Sequence, residues 1–162
     1  MTVTRVLLDT SYLITLVKST RAHHRVARAY YRYMIENGIH MCVSAIAVSE
    51  YSVKDAITTL PQTNLIFLPF NVTDAIESAR LQNLISRDPS DDRQAVKDDL
   101  KLLGHGAHEK IPFVLTDDIN TMYKYCERLR SAGAIKLKPI ALVDGFDGCA
   151  FRLDGQTGFG FQ

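Results

Sequence analysis

Residues 5–9, Arg5-Val6-Leu7-Leu8-Asp9, and residues 111–118, Ile111-Pro112-Phe113-Val114-Leu115-Thr116-Asp117-Asp118, decide how this chain is read. Each is a short, continuous apolar run that ends in a carboxylate. A strand buried on one face alternates apolar and polar residues, whereas a strand covered on both faces is apolar throughout. Both runs therefore read as central strands of a covered, parallel sheet, with Asp9 at the C-terminal end of one and the Asp117-Asp118 pair at the end of the other.

Three further short apolar runs fit strands: Ile39 to Val43, Leu65 to Phe70 and Pro139 to Val143. Helical spacing fills the gaps. A brief helix is expected from Ser11 to Val17, and a longer one from about Arg21 to Asn37, stopped by Gly38. Ser44 is placed to cap a helix that runs toward Pro61, and Thr73 to cap one through Ala75, Ala79 and Ile85. Further helices are expected from about Gln94 to His108 and from Asn120 to Ser131. Strands alternating with helices predict an α/β fold with a mainly parallel five-stranded sheet. The polar stretch SRDPSDDRQ at 86–94 is the clearest loop.

The chain has 162 residues, 46% of them apolar and 23% charged, which suits one folded domain over residues 1–162 with a Gly-rich extension from about 146. Nineteen basic residues against eighteen acidic give a net charge of +1, so the total does not call for a polyanionic partner. Cys42, Cys126 and Cys149 are odd in number and lack C-x-x-C spacing, so they read as small apolar packers. The opening MTVTRVLLDT is unlike a signal peptide, and no stretch reaches the roughly 20 apolar residues of a membrane span; a cytoplasmic protein is expected.

In an open parallel sheet, sites form beyond the C-terminal strand ends where the strand order reverses. Asp9 and Asp118 fall at such ends, and Glu50 and Asp99, near the starts of helices next to neighbouring strands, can be brought to the same edge. Carboxylates gathered so closely repel one another and take up protons unless a cation offsets them. Magnesium and similar hard ions accept such oxygen donors together with water and substrate phosphate, and metal-activated water then serves phosphodiester hydrolysis. Taken singly, an acid such as Asp9 or Asp118 is more often a helix cap or turn residue, Glu50 more often a solvated helix residue, and the Asp98-Asp99 pair can simply favour a helix N-terminus.

The segments VLLDTSYLI, VSAIAVSEY, DDLKLLGHGAHEKIPFVLTDD and PIALV, in that order over roughly residues 5–145, resemble PIN-domain proteins, in particular the small VapC-type toxin nucleases. The resemblance implies a Rossmann-like three-layer α/β/α sandwich and an endoribonuclease that uses magnesium or manganese. It implies an RNA substrate, a homodimer and a protein antitoxin. Asp9, Glu50, Asp99 and Asp118 would correspond to the family's acidic quartet, catalytic and metal-binding at once. Asp98 and Asp117 stand beside two of them as alternates. Ser11 and Thr116 match hydroxyl positions that would orient the carboxylates.

Arg93 and Lys97 are the leading candidates for RNA phosphate contacts, with Arg87, Lys101, Lys124 and Arg128 as further cations near the acids. Tyr30, Tyr31 and Tyr33 have helical spacing that favours core or dimer-interface packing over base stacking. His23 and His24 are adjacent and His105 and His108 lack a matching pattern, so no histidine is assigned a ligand role. The C-terminal glycines do not form a phosphate loop. The competing reading is a non-catalytic RNA-binding or scaffold protein on the same fold. A haloacid dehalogenase-like phosphohydrolase is disfavoured because Ser11 stands where its second Asp belongs.

Overall fold

A computed structural model describes residues 4–153. The Gly-rich segment expected at the C-terminus lies in part, at residues 154–162, outside the described residues. Five strands make one sheet: β1 (Arg5–Leu8), β2 (His40–Ser44), β3 (Leu65–Leu68), β4 (Phe113–Thr116) and β5 (Lys138–Ala141). The order across the sheet is β3-β2-β1-β4-β5, and every pairing is parallel. Val6 pairs with Met41 on one side and Phe113 on the other, so β1 is central.

Six helices connect or follow the strands: α1 (Thr10–Val17), α2 (His24–Glu36), α3 (Ala45–Ser52), α4 (Val72–Leu84), α5 (Arg93–His108) and α6 (Met122–Ser131). Consecutive strand residues face opposite sides of a sheet. Since Val6, Leu7 and Leu8 are all fully buried, as are Val114 and Leu115, both faces must be covered. This is the α/β sandwich expected from the apolar runs.

Three local expectations need correction. The helix capped by Ser44 does not run to Pro61: Ser44 Oγ accepts from the Ile46 amide at 3.1 Å as expected, but α3 ends at Ser52. The chain turns back through a single 3₁₀ turn at Ile57–Thr59, pinned by a 2.6 Å hydrogen bond between the hydroxyls of Tyr51 and Thr59. Asn71, not Thr73, caps α4, because Asn71 and Asp74 form a reciprocal capping box in which the Asp74 carboxylate accepts the Asn71 amide at 2.7 Å. Cys42 and Cys126 are buried packers, but Cys149 is exposed.

The tyrosine expectation is borne out for packing. Tyr30 is buried, and its ring meets Phe146 and Phe151 edge-on, while Tyr33 stacks on Phe151 at 5.8 Å. Aromatic side chains of the last described segment thereby fasten it to α2.

Candidate active site

The chain leaves β1 for β2 and β3 on one side, then returns to build β4 and β5 on the other. The reversal of strand order falls between β1 and β4, the location where open α/β sheets form sites. Asp9 follows β1 directly and is the N-cap residue of α1, while Asp117 and Asp118 follow β4 directly.

Asp9 is 4% exposed. Its Oδ2 accepts from the Ser11 hydroxyl at 2.6 Å and from the Thr116 hydroxyl at 2.7 Å. Burial pushes the Asp9 carboxyl pKa up; the two hydroxyls pull it down, and the nearby Asp118 charge raises it further. Ser11 and Thr116 lie 3.1 Å apart and so tie the end of β1 to the end of β4.

Glu50 stands in the last turns of α3 rather than near its start and is half-buried. The Thr10 hydroxyl donates to its Oε1 at 3.2 Å. Burial, then the charge of Asp9, lifts Glu50 to about 7. Asp99, on the seventh position of α5, is 8% exposed, and its Oδ2 is buried without a hydrogen-bond partner. Burial first, then Asp9, pushes Asp99 up to about 9, with Asp118 and Glu50 adding to the effect and the Thr121 side chain opposing it.

The two adjacent pairs part company. Asp118 accepts from the amides of Asn120 and Thr121 at 2.8 and 3.0 Å and from the Thr121 hydroxyl at 2.7 Å, and its charge acts on both Asp9 and Asp99. Asp117 accepts instead from Thr15 at 2.6 Å and pairs with His23 at 2.7 Å and Arg21 at 3.7 Å. On α5, Asp98 accepts from Gln94 at 3.0 Å and lies 3.5 Å from Lys101, while Asp99 turns inward. The inward-facing set is thus Asp9, Glu50, Asp99 and Asp118.

These four do not form a tight cage. Among the described residues, the donor atoms that lie within 4.8 Å of one another belong to a different group, Asp74, His105 and Glu109. An open arrangement suits an ion that keeps several waters and also takes substrate oxygens. The fit to a cation rests on the orphaned Asp99 Oδ2 and on the mutual elevation of Asp9, Glu50 and Asp99: a positive charge would relieve both.

Thr10 and Thr121, each 8% exposed, were not singled out from the sequence. A signal existed for Thr10, since it neighbours Asp9, but its partner Glu50 lies 40 residues away. Of the candidate RNA contacts, Arg93 and Lys97 are exposed along α5. Lys124 and Arg128 are committed elsewhere: Arg128 makes two hydrogen bonds to Asp88, at 3.0 and 2.7 Å, and Lys124 reaches Asp88 and Asp91 at 3.1 and 2.5 Å. The acidity of the 86–94 loop is thereby explained, because it clamps α6; the Arg128 and Lys124 contacts hold the Asp88 carboxyl well below its usual range.

Neither a family sequence model nor a curated protein sequence matches the chain. Solved structures do. VapBC2 from Rickettsia felis, bound to a DNA fragment from its promoter, aligns with a TM-score of 0.55 at 13% identity, over 83% of this chain and 98% of that one. DNA-bound VapBC from Salmonella typhimurium aligns at 0.54 and 18% identity, over 84% and 98%. VapC20 of Mycobacterium tuberculosis, a sarcin-ricin loop cleaving toxin, aligns at 0.54 and 12% identity, over 83% and 99%. The chain has the PIN-like fold of these VapC structures, with a five-stranded, all-parallel sheet and six α-helices among the described residues.

Proposed function

We propose that the chain is a divalent-metal-dependent endoribonuclease that hydrolyses RNA phosphodiester bonds and acts as the toxin of a toxin–antitoxin pair. The observation that carries the reading is the gathering of Asp9, Glu50, Asp99 and Asp118 at the β1/β4 reversal, with Asp99 Oδ2 buried and unbonded. The VapC neighbours support it at the level of fold, and two of them are VapBC complexes.

Magnesium or manganese held by Asp9, Glu50, Asp99 and Asp118 would neutralise the carboxylates, polarise a phosphate oxygen and lower the pKa of a water. The chain's own residues set the stage. Ser11 and Thr116 hold Asp9 Oδ2, and Thr10 and Thr121 orient Glu50 and Asp118. Such fixed partners reduce the reorganisation needed when charge develops. Arg93 and Lys97 would receive backbone phosphates on the flank of α5, where their charge is not spent on another side chain. A cytoplasmic homodimer and a protein antitoxin belong to the same reading.

The test is cleavage of RNA by the full chain in manganese, compared with Asp9→Asn. The variant should keep its circular dichroism spectrum and lose at least about 100-fold in cleavage rate. Undiminished cleavage by Asp9→Asn would overturn the assignment.

A further inference from the structure

The first turn of α4 meets the end of α5 in a second set of donors that shares no residue with the carboxylate cleft. Asp74, His105 and Glu109 each place one donor atom within 4.8 Å of the others. Asp74 and His105 are fully buried, whereas the Glu109 side chain is 31% exposed and offers an approach from solvent. His105 lies six residues past Asp99, a rise of about 9 Å along the helix and a different face.

His105 Nε2 is buried and has no hydrogen-bond partner. It lies 3.7 Å from Asp74 Oδ2, too far for a hydrogen bond. The other ring nitrogen, Nδ1, is 2.7 Å from Ser44 Oγ. When Nδ1–H donates to Ser44, Nε2 carries a lone pair aimed at the two carboxylates. A histidine whose far nitrogen is fixed by a hydrogen bond is the usual arrangement of a metal ligand. Burial lowers the His105 pKa despite the pull of Asp74, which favours the neutral, ligating ring.

Asp74 is held just as firmly. Its Oδ1 is 2.7 Å from His108 Nδ1, and its Oδ2 accepts the Asn71 amide, leaving a second lone pair on Oδ2. Tetrahedral zinc, with ligand bonds of about 2.0–2.2 Å, sets its donors about 3.4 Å apart, close to the Nε2 to Oδ2 separation here. Imidazole with carboxylates favours zinc over magnesium, which prefers oxygen alone. Arg5 reaches the Glu109 carboxylate only at 3.9 Å, a loose pairing that an ion at shorter range would override.

We propose that Asp74, His105 and Glu109 form a zinc site that clasps the start of α4 to the end of α5. A water would complete the coordination, and the site is independent of the nuclease reading.

The experiment is a zinc titration, by calorimetry and thermal unfolding, of chelator-stripped full-length protein carrying Asp9→Asn and Asp99→Asn, so that the carboxylate cleft contributes little affinity. One zinc per chain and a raised Tm are expected. Adding His105→Gln or Glu109→Gln should each weaken binding at least about tenfold. Glu109→Gln, at a partly exposed position, keeps the test valid if the buried His105 substitution unfolds the chain. No zinc uptake, or uptake unchanged in Glu109→Gln, would overturn the proposal.

Discussion

At Asp99 a carboxyl group lies among three others with one oxygen buried and unbonded, and burial followed by the Asp9 charge raises it to about 9. The consequence for stability has a definite sign. An unfolded Asp or Glu titrates near 4, while in the folded chain Glu50 is raised to about 7 and Asp99 to about 9. The native state therefore holds more protons than the unfolded state between these limits. The stability these protonated groups provide is fully present below about pH 4 and is lost as pH rises through about 7 and then about 9. Thermal unfolding of the metal-free protein should show this decline, and Asp99→Asn should flatten it and raise Tm at pH 8 by about 5 °C. An unchanged pH slope in Asp99→Asn would contradict this electrostatic account. The identity of the inward acids was only half legible in the sequence. Asp9 and Glu50 could be named outright, but Asp117 and Asp118 differ through partners such as Thr15 and His23, 102 and 94 residues away, which no local pattern encodes.

Among the elements, the strands were the most legible, because parallel strands covered on both faces leave continuous apolar runs. Helix limits were less so where tertiary contacts override local signals. Tyr51 and Thr59 join only after α3 has ended, and the Asn71–Asp74 capping box competes with the equally plausible cap at Thr73. Gly104 shows a further contact hidden from sequence reading. In an exposed helix Gly→Ala would stabilise by about 1 kcal/mol. Here a Cβ on Gly104 would sit 2.5 Å from Ser78 Oγ and 2.7 Å from Ser78 Cα, because α4 and α5 approach backbone to backbone. Gly104→Ala should therefore destabilise by about 1–3 kcal/mol, read as a lower midpoint in urea unfolding. A higher midpoint would show that α4 and α5 are not packed this closely.

Over the whole molecule, the order β3-β2-β1-β4-β5 turns two separate apolar runs into neighbours and places their terminal acids at one reversal point. That convergence was foreseeable because both runs end in Asp. The role of the loop at 86–94 was not: local sequence marks it only as polar, and its acids find their partners Lys124 and Arg128 more than 30 residues away. Arg93 and Lys97 stay exposed along α5. Everything in the functional reading depends on a cation among Asp9, Glu50, Asp99 and Asp118. The most direct measurement is anomalous scattering at the manganese edge from crystals soaked in that ion. The account predicts a peak bounded by those four carboxylates; a cleft without manganese, or manganese held only by Asp74, His105 and Glu109, would contradict it.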